Sequence, residues 1–248
     1  VPFELMDVAG LVEGASEGKG LGNEFLNDLS AADAFIHVVD VSGETDAEGK
    51  PTQNYDPAKD IRFIENELDL WYSGILKKVW KIFARTIEMQ KTNFYASVAK
   101  QFSGLKVIED DVEYVVLKEK IDFSRPAQWG DNEIMKFSRA LRRHSKQMII
   151  AANKIDRPNG KENFEKIKKE FDYPIVTCFS EGELALREAD KAGLIEYVPG
   201  SDDFEIKKEL NEKQKFGLNA IKKVLRGFGS TGVQEILNKV VLEILKYI

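Results

Sequence analysis

Cysteine, histidine and long apolar runs are scarce in this sequence of 248 residues, and each scarcity excludes a class of protein. A single cysteine, Cys178, excludes an internal disulfide and is typical of a reducing compartment, so we expect a cytoplasmic protein. No apolar run approaches the ~20 residues of a transmembrane helix, so we expect no membrane partner. The formal net charge of −6 gives no overall attraction to nucleic acid. No catalytic triad, acid–base pair or metal-ligand cluster is recognisable.

The amino end of the chain carries an Asp-x-x-Gly motif at the end of a short apolar run. Residues 1–8 predict a β-strand, and the motif extends from Asp7 to Gly10, before a glycine-rich segment. An aspartate at this place can hold Mg²⁺ through a water molecule, and a glycine can offer its backbone N–H to a terminal phosphate. The pattern therefore indicates a switch that senses a nucleoside triphosphate. Alone it is weak evidence, because it also occurs in ordinary turns and its glycines also suit a flexible linker.

A second motif, Asn-Lys-x-Asp, follows a compact apolar run at residues 147–152. The run predicts a buried parallel strand, and the motif places Asn153, Lys154 and Asp156 directly after it. A carboxylate here can accept from both the ring N–H and the exocyclic amine of guanine, whereas adenine would leave it unpaired. The lysine stem can cover the base, and the asparagine can join neighbouring loops. The motif predicts a guanine site, and the alternative is a polar turn that caps the strand.

Three segments carry a family resemblance, namely residues 7–26, 191–200 and 228–236. They resemble the YchF-type branch of the Obg-related GTPases, and residues 7–26 match that family's second switch almost residue for residue. The resemblance implies an α/β fold of the P-loop NTPase type, with three layers, a mostly parallel sheet and an inserted helical domain. It also implies GTP or GDP and Mg²⁺ as ligands, slow hydrolysis of GTP to GDP and phosphate in the intact protein, and a ribosome or RNA partner.

The resemblance assigns roles to individual residues. Asp7 would hold Mg²⁺ through water, Gly10 would sense the γ-phosphate, and the Asn-Lys-x-Asp motif would select guanine. The family closes its base pocket with a Ser-Ala pair, and this chain has Phe179 and Ser180 there. Ser180 could still serve through its backbone N–H, while Phe179 either packs on the base or fills the core. Leu11 stands where many GTPases place a water-positioning glutamine, so no catalytic residue is predicted.

Segments that the family resemblance leads us to expect are missing from the sequence. The P-loop, Gly-x-x-x-x-Gly-Lys-Ser/Thr, is not found, nor are the first switch and the C-terminal domain of the TGS type. The P-loop supplies the backbone cradle, the lysine and a Mg²⁺ ligand for the phosphates. We therefore expect the chain to be an internal fragment that is inactive alone.

Apolar spacing divides the chain into three predicted parts. Residues 1–45 predict the first part of the GTPase domain, 46–145 a helical insertion, and 146–248 the second part with its C-terminal helices. Within the insertion, apolar residues at spacings of three and four predict a long helix and a helical hairpin or coiled-coil arm. In a further strand, predicted at residues 34–41, His37 is expected to be a core residue with a backbone partner.

The insertion contains a locally basic stretch. Six basic residues stand against a single acid between Ser73 and Lys100, interleaved with Trp80, Phe83 and Tyr95. Basic residues with aromatics can grip RNA, and the alternative is a solvated helix face whose aromatics lie in the core. Three functions remain open: a GTPase, an ATPase of the same fold, and a non-hydrolysing module that binds RNA or the ribosome. The oligomeric state is left open.

Overall fold

The structure, a computed structural model, describes residues 2–8 and 29–247 of the chain. Its regular elements follow one another in the order β1 (Ala34–Asp40), α1 (Ala58–Lys77), α2 (Trp80–Gln90), α3 (Phe94–Gln101), α4 (Glu109–Lys118), α5 (Asp131–Ser145), β2 (Gln147–Asn153), α6 (Gly160–Glu170), β3 (Ile175–Cys178), α7 (Ser180–Lys191), β4 (Ile195–Glu196), β5 (Glu205–Ile206), α8 (Glu212–Phe228) and α9 (Val233–Asn238). Short 3₁₀ turns occupy Ser103–Leu105 and Pro126–Gln128, and a π-helix occupies Lys239–Ile244.

The chain divides into two compact units, which are described separately. One unit comprises Ile36–Ile61 and Met148–Ile248 and holds the sheet and helices α6 to α9. The other comprises Pro2–Phe35 and Arg62–Gln147 and holds most of α1 and all of α2 to α5. The antiparallel hairpin of β4 and β5 in the first unit was not predicted, because two-residue strands leave no alternating pattern in the sequence.

Helices cover both faces of the three-stranded sheet, whose strand order is β1-β2-β3. Along β2, Ile150 and Ala152 join one apolar cluster, which includes residues of α6, α7 and α8. Ile149 and Ala151 join a second cluster, which includes Ile236 of α9. Both faces of β2 are therefore buried, and this is why its sequence is a continuous apolar run rather than an alternating one. Strands β2 and β3 are parallel, as predicted.

Helices α1 to α5 surround one apolar core instead of forming a coiled-coil arm. The predicted long apolar face is divided, because α1 ends at Lys77 and α2 begins at Trp80. The Trp80 ring stacks on that of Trp129 with centroids 4.9 Å apart, and Trp129 also contacts Phe94 and Phe137. A two-helix coiled coil buries only a narrow stripe of each helix, whereas these rings converge from four segments of the chain. The shared core therefore differs from the narrow seam of a two-helix coiled coil, and the predicted long helix is interrupted after Lys77.

The aromatics of the basic stretch belong to this core. Trp80 is 4% exposed and donates from its ring nitrogen to the Pro126 carbonyl, while Phe83 and Tyr95 pack against the same cluster. Lys81 and Arg85, in contrast, are exposed on α2. The aromatics of the stretch are therefore core residues and are not available to stack on RNA bases, while its basic side chains remain exposed.

A buried ion-pair network joins α1 to α5. Nε and Nη2 of Arg142 donate to Oδ1 of Asp69 at 2.9 and 2.8 Å, and Nε of Arg139 donates to Oδ2 of Asp69 at 2.7 Å. The side chains of Arg142 and Asp69 are only 1% and 4% exposed. Burying two charges away from water is costly unless each keeps an oppositely charged partner, which Arg142 and Asp69 provide for each other.

Residues 2–8 do not form the predicted strand. They have no regular secondary structure, and Phe3 and Leu5 are 48% and 67% exposed. A strand is stabilised by backbone hydrogen bonds to a neighbour, and among the described residues none of the strands pairs with this segment. The apolar pattern alone was therefore insufficient. Residues 29–31, where the description of the chain resumes, are helical.

His37 lies partly buried in β1, and its Nδ1 atom lacks the backbone partner that we expected. Its Nδ1 atom is buried and forms no hydrogen bond with the part of the chain that the structure describes. Burial lowers the pKa of the imidazole to about 4, because the charged form loses its hydration. His37 is therefore neutral in the folded protein at neutral pH.

This burial predicts a loss of stability in mild acid. Above pH ~6.5 the imidazole is neutral in both states, but as pH falls towards 4 only the unfolded chain takes up the proton. We expect the free energy of unfolding to fall by about 3 kcal/mol over this range from His37 alone. Denaturant unfolding of the wild type and His37→Gln at pH 7, 5.5 and 4 measures the difference. Equal pH slopes for the two proteins would contradict the prediction.

Candidate nucleotide-binding site

The Asn-Lys-x-Asp motif lies at the carboxyl edge of the sheet, where all three strands end together. Asn153 is the last residue of β2 and stands opposite Cys178, the last residue of β3. The backbone N–H of Val41, just after β1, donates to the Asn153 carbonyl at 3.0 Å. Loops outside the carboxyl ends of such strands are the usual ligand site of open α/β sheets. The position of the motif therefore agrees with a binding role.

Asn153 joins the loop after β2 to the start of α7. Its Oδ1 accepts from the backbone N–H of Ser180 at 3.1 Å and from the Ser180 hydroxyl at 3.0 Å. The structure thus brings these two predicted site residues together. The Ser180 N–H, which the sequence led us to expect as a donor to the base, therefore already donates to Asn153. The next N–H along the chain, that of Glu181, lies in the first turn of α7, where backbone N–H groups have no partner within a helix.

Lys154 is held by a carboxylate that sequence reasoning missed. Its Nζ donates to Oδ2 of Asp40, the last residue of β1, at 2.6 Å. The other donors to Asp40 are the Ser42 hydroxyl at 2.6 Å, the Ser42 N–H at 2.9 Å and the Thr45 hydroxyl at 2.5 Å. Partial burial raises the pKa of the Asp40 carboxyl, but the hydrogen bonds from Lys154, Ser42 and Thr45 outweigh it and keep the pKa below its usual range. In the sequence, the only sign of this contact was that Asp40 is a polar residue near the end of a predicted strand.

Asp156 keeps its carboxylate available as an acceptor. Its nearest charged neighbour is Arg157, whose Nε lies 3.7 Å from Oδ2, which is longer than a hydrogen bond. The loop that carries Asp156 is closely packed at Gly160, where a Cβ atom would lie 2.8 Å from the Ile155 carbonyl oxygen and 2.9 Å from that of Lys154. A side chain at residue 160 would therefore displace the backbone that places Asp156.

A buried polar network supports the loop after β3. The Glu183 carboxylate accepts from the hydroxyls of Thr231 at 2.6 Å and Tyr197 at 2.8 Å, and from Nε of Arg187 at 2.5 Å. Burial raises the pKa of the Glu183 carboxyl, but these hydrogen bonds outweigh it and lower the pKa overall. The Thr231 carbonyl accepts from the Phe179 N–H at 2.8 Å, so the network reaches the residue next to Ser180.

Phe179 itself fills the core. It is 9% exposed and belongs to the main apolar cluster of its unit. A Cβ atom at Gly182 would lie only 2.2 Å from the Phe179 ring, so glycine is needed at the first turn of α7 for the ring to fit. Of the two roles considered for Phe179, the structure shows the core role.

The predicted phosphate-side residues are described only in part. Asp7 is exposed and lies in the unit that holds helices α2 to α5. Gly10 and Leu11 lie outside the described residues. Within residues 2–8 and 29–247, no cluster of three or more His, Cys, Asp or Glu side chains has an arrangement suited to a metal ion. In the same part of the chain, no helix has the length and apolar character needed to cross a membrane.

Two family models match separate parts of the chain. Residues 151–248 match the G4 motif-containing domain of YGR210-like Obg-like GTPases, and these residues include the Asn-Lys-x-Asp motif. Residues 1–69 match the model of 50S ribosome-binding GTPases. The two matches fall on either side of the region that forms helices α2 to α5.

Individual relatives agree with the family models. A GTP-binding protein of Methanocaldococcus jannaschii is 46% identical over all of this chain and 62% of its own length. The ribosome-binding ATPase YchF of Bacillus subtilis is 32% identical over 76% of this chain and 51% of its own length. The crystal structure of a GTP-binding protein from Pyrococcus horikoshii OT3 superimposes with a TM-score of 0.75 and 40% identity, covering 90% of this chain and 60% of that one. The chain thus spans about three-fifths of the length of the first and third of these proteins.

Proposed function

Because the chain is homologous to the Obg-like GTPases, we propose that it contains the guanine-recognition part of a YchF-type GTPase that hydrolyses GTP to GDP and phosphate. The proposed fold is the three-layer P-loop type, in which residues 1–45 and 146–248 form the GTPase domain and 46–145 a helical insertion. One observation carries the proposal, namely the gathering of Asn153, Lys154, Asp156 and Ser180 where β2 and β3 end. The single buried cysteine fits the cytoplasm that we propose as its location.

Guanine selection is assigned to Asp156. Its carboxylate would accept from the ring N–H and the exocyclic amine, both charge-assisted, and adenine would leave it unpaired. Asn153 would not touch the base but would hold the two loops in register through Ser180. Since the Ser180 N–H already donates to Asn153, we assign the donor to the guanine oxygen to the N–H of Glu181. This moves the backbone donor one residue beyond the sequence-based prediction.

The phosphate side of the site is assigned to Asp7 and Gly10. Asp7 would hold Mg²⁺ through water, and its single exposed carboxylate fits an ion that keeps most of its water ligands. The ion would neutralise phosphate charge when bound. Gly10 would offer its N–H to the γ-phosphate. The P-loop that the family resemblance predicts would supply the remaining phosphate contacts.

Titration with fluorescent GDP in Mg²⁺ tests the proposed function. The chain alone should not bind, whereas a form extended at its amino end by the P-loop segment of a homologue should bind. The bound nucleotide should be displaced by GTP and not by equal concentrations of ATP. Equal displacement by ATP would favour the alternative of an ATPase with the same fold. Tight binding by the chain alone would contradict the assigned need for a P-loop.

A second candidate function, binding of RNA or the ribosome, is favoured by the exposed basic face of α2. Lys81 and Arg85 are exposed on α2 and Lys78 is exposed just before it, and one relative is named a ribosome-binding ATPase. Because the neighbouring aromatics are in the core, the contact would be made with phosphates and would weaken steeply with salt. RNA binding that is salt-dependent and lost in a charge-reversed variant of these three residues would support this function for the insertion.

A further inference from the structure

We propose that Asp40 is a positioning residue of the base pocket, which fixes the Lys154 side chain so that its aliphatic stem forms a preformed wall for guanine. The inference rests on the proposed function, since it names a further residue of the same site. Asp40 lies outside both motifs, and in the sequence all of helices α1 to α5 stand between it and Lys154.

The contacts of Asp40 suit this role. Oδ2 accepts from Lys154 Nζ at 2.6 Å and from the Thr45 hydroxyl, while Oδ1 accepts from the N–H and hydroxyl of Ser42. Both carboxylate oxygens are therefore fixed in direction by the loop that follows β1. The Asp40 side chain is 18% exposed and that of Lys154 39%, so the pair lies at the border between core and solvent.

Holding the lysine matters because a free lysine side chain is mobile. Ordering a Lys side chain costs up to about 2 kcal/mol of conformational entropy, and a ligand that packs on the stem would otherwise meet that cost on binding. With Nζ already bonded to Asp40, the stem is ordered before the base arrives, which is preorganisation in the usual sense. Lys154 also has a left-handed backbone with φ of 61°, so its side chain leaves the loop in a direction set by the turn.

The end of β1 does not depend on the Asp40 side chain. The Val41 N–H donates to the Asn153 carbonyl at 3.0 Å, and Asn163 Nδ2 donates to the Val41 carbonyl at 2.9 Å. These contacts hold the strand end by its backbone and by another side chain. A change of the Asp40 carboxylate should therefore alter Lys154 more than it alters the sheet.

Affinity for GDP in the amino-extended form tests the proposal. Asp40→Asn keeps the shape but removes the charge, and should raise the Kd for GDP about tenfold. Glu44→Gln is the matched control, because Glu44 is exposed in the same loop and the same charge is lost. Lys154→Met should weaken GDP binding at least as much as Asp40→Asn. The double variant should bind no more weakly than Lys154→Met alone, since Asp40 acts only through that lysine.

If Asp40 only supported the fold, the two single variants and the double variant would give a different set of Kd values. Losses that multiply in the double variant, or an unchanged Kd in Asp40→Asn, would overturn the proposal. In the wild type, the NMR signal of the Lys154 ammonium, assigned by its loss in Lys154→Met, should shift when GDP saturates the site, and an unchanged signal would also overturn it. This measurement uses the wild type, so it tests the contact of Lys154 with the nucleotide even if Asp40→Asn does not fold. Failure of the wild type to prefer guanine would instead refute the proposed function, and the role of Asp40 with it.

Discussion

Replacement of Asp156 by alanine should weaken GDP binding by the amino-extended form roughly 100- to 10,000-fold. The carboxylate would make two hydrogen bonds to guanine, and a hydrogen bond to a charged group contributes about 1.5–3 kcal/mol. Among the residues that the structure describes, Asp156 makes only a long ion pair, to Arg157 at 3.7 Å. Its removal should therefore cost binding without a comparable loss of folding stability. Displacement of fluorescent GDP and thermal unfolding of the same samples measure the two effects.

Asp172→Ala provides the matched control, since Asp172 is an exposed aspartate between α6 and β3 of the same unit. It should leave the Kd for GDP unchanged. Asp156→Asn sharpens the test, because the new amide can donate to a carbonyl group. It should therefore favour xanthine nucleotides, which have a carbonyl oxygen in place of the guanine amine. An unchanged Kd for GDP in Asp156→Ala would show that the base is recognised elsewhere.

Asp69→Ala should lower the free energy of unfolding by about 3–5 kcal/mol. The substitution would leave Arg142, whose side chain is 1% exposed, without its main counter-charge. Glu65 lies 4.0 Å from Arg142 and compensates only in part. The cost arises chiefly from a buried charge without its partner, and not from the lost attraction itself. Denaturant unfolding followed by tryptophan fluorescence is suited to the measurement, because Trp71 lies on α1 and Trp80 on α2 of the same unit.

Asn66→Ala is the control for this change, since Asn66 is an exposed residue of the same helix and its side chain has nearly the size of aspartate. It should alter the free energy of unfolding by less than about 0.5 kcal/mol. A double variant, Asp69→Leu with Arg142→Met, should recover much of the lost stability, because it removes both buried charges together. A loss of under about 1 kcal/mol in Asp69→Ala would show that Arg142 reaches other partners or water when Asp69 is absent.

Elements with a strong local signal were predicted well. The buried apolar run at 147–152, which predicts a strand, forms β2. The structure also places Asn153 between two loops, in the joining role that the motif predicts. These features depend on neighbours within a few residues, which hydrophobic spacing and strand-end motifs report directly.

Elements that depend on distant partners were predicted poorly. The apolar run at 1–8 has the composition of a strand, but its described residues 2–8 do not form one, because no described strand pairs with them. The apolar face of α1 and α2 suggested one long arm, yet the rings of Trp80 and Trp129, far apart in sequence, draw short helices around a common core. Periodicity identifies which face of a helix is apolar but does not identify what covers it.

The sequence by itself determined the family resemblance, the strand that ends in Asn-Lys-x-Asp and the chemistry by which Asp156 can select guanine. Only the tertiary structure decided that Asp40 holds Lys154, that the Ser180 N–H is already engaged, and that Phe179 fills the core. The physical reason is that motif chemistry is local, carried by residue types at fixed spacing. Hydrogen-bond partners and packing neighbours, in contrast, are set by which loops the folded sheet brings to one edge.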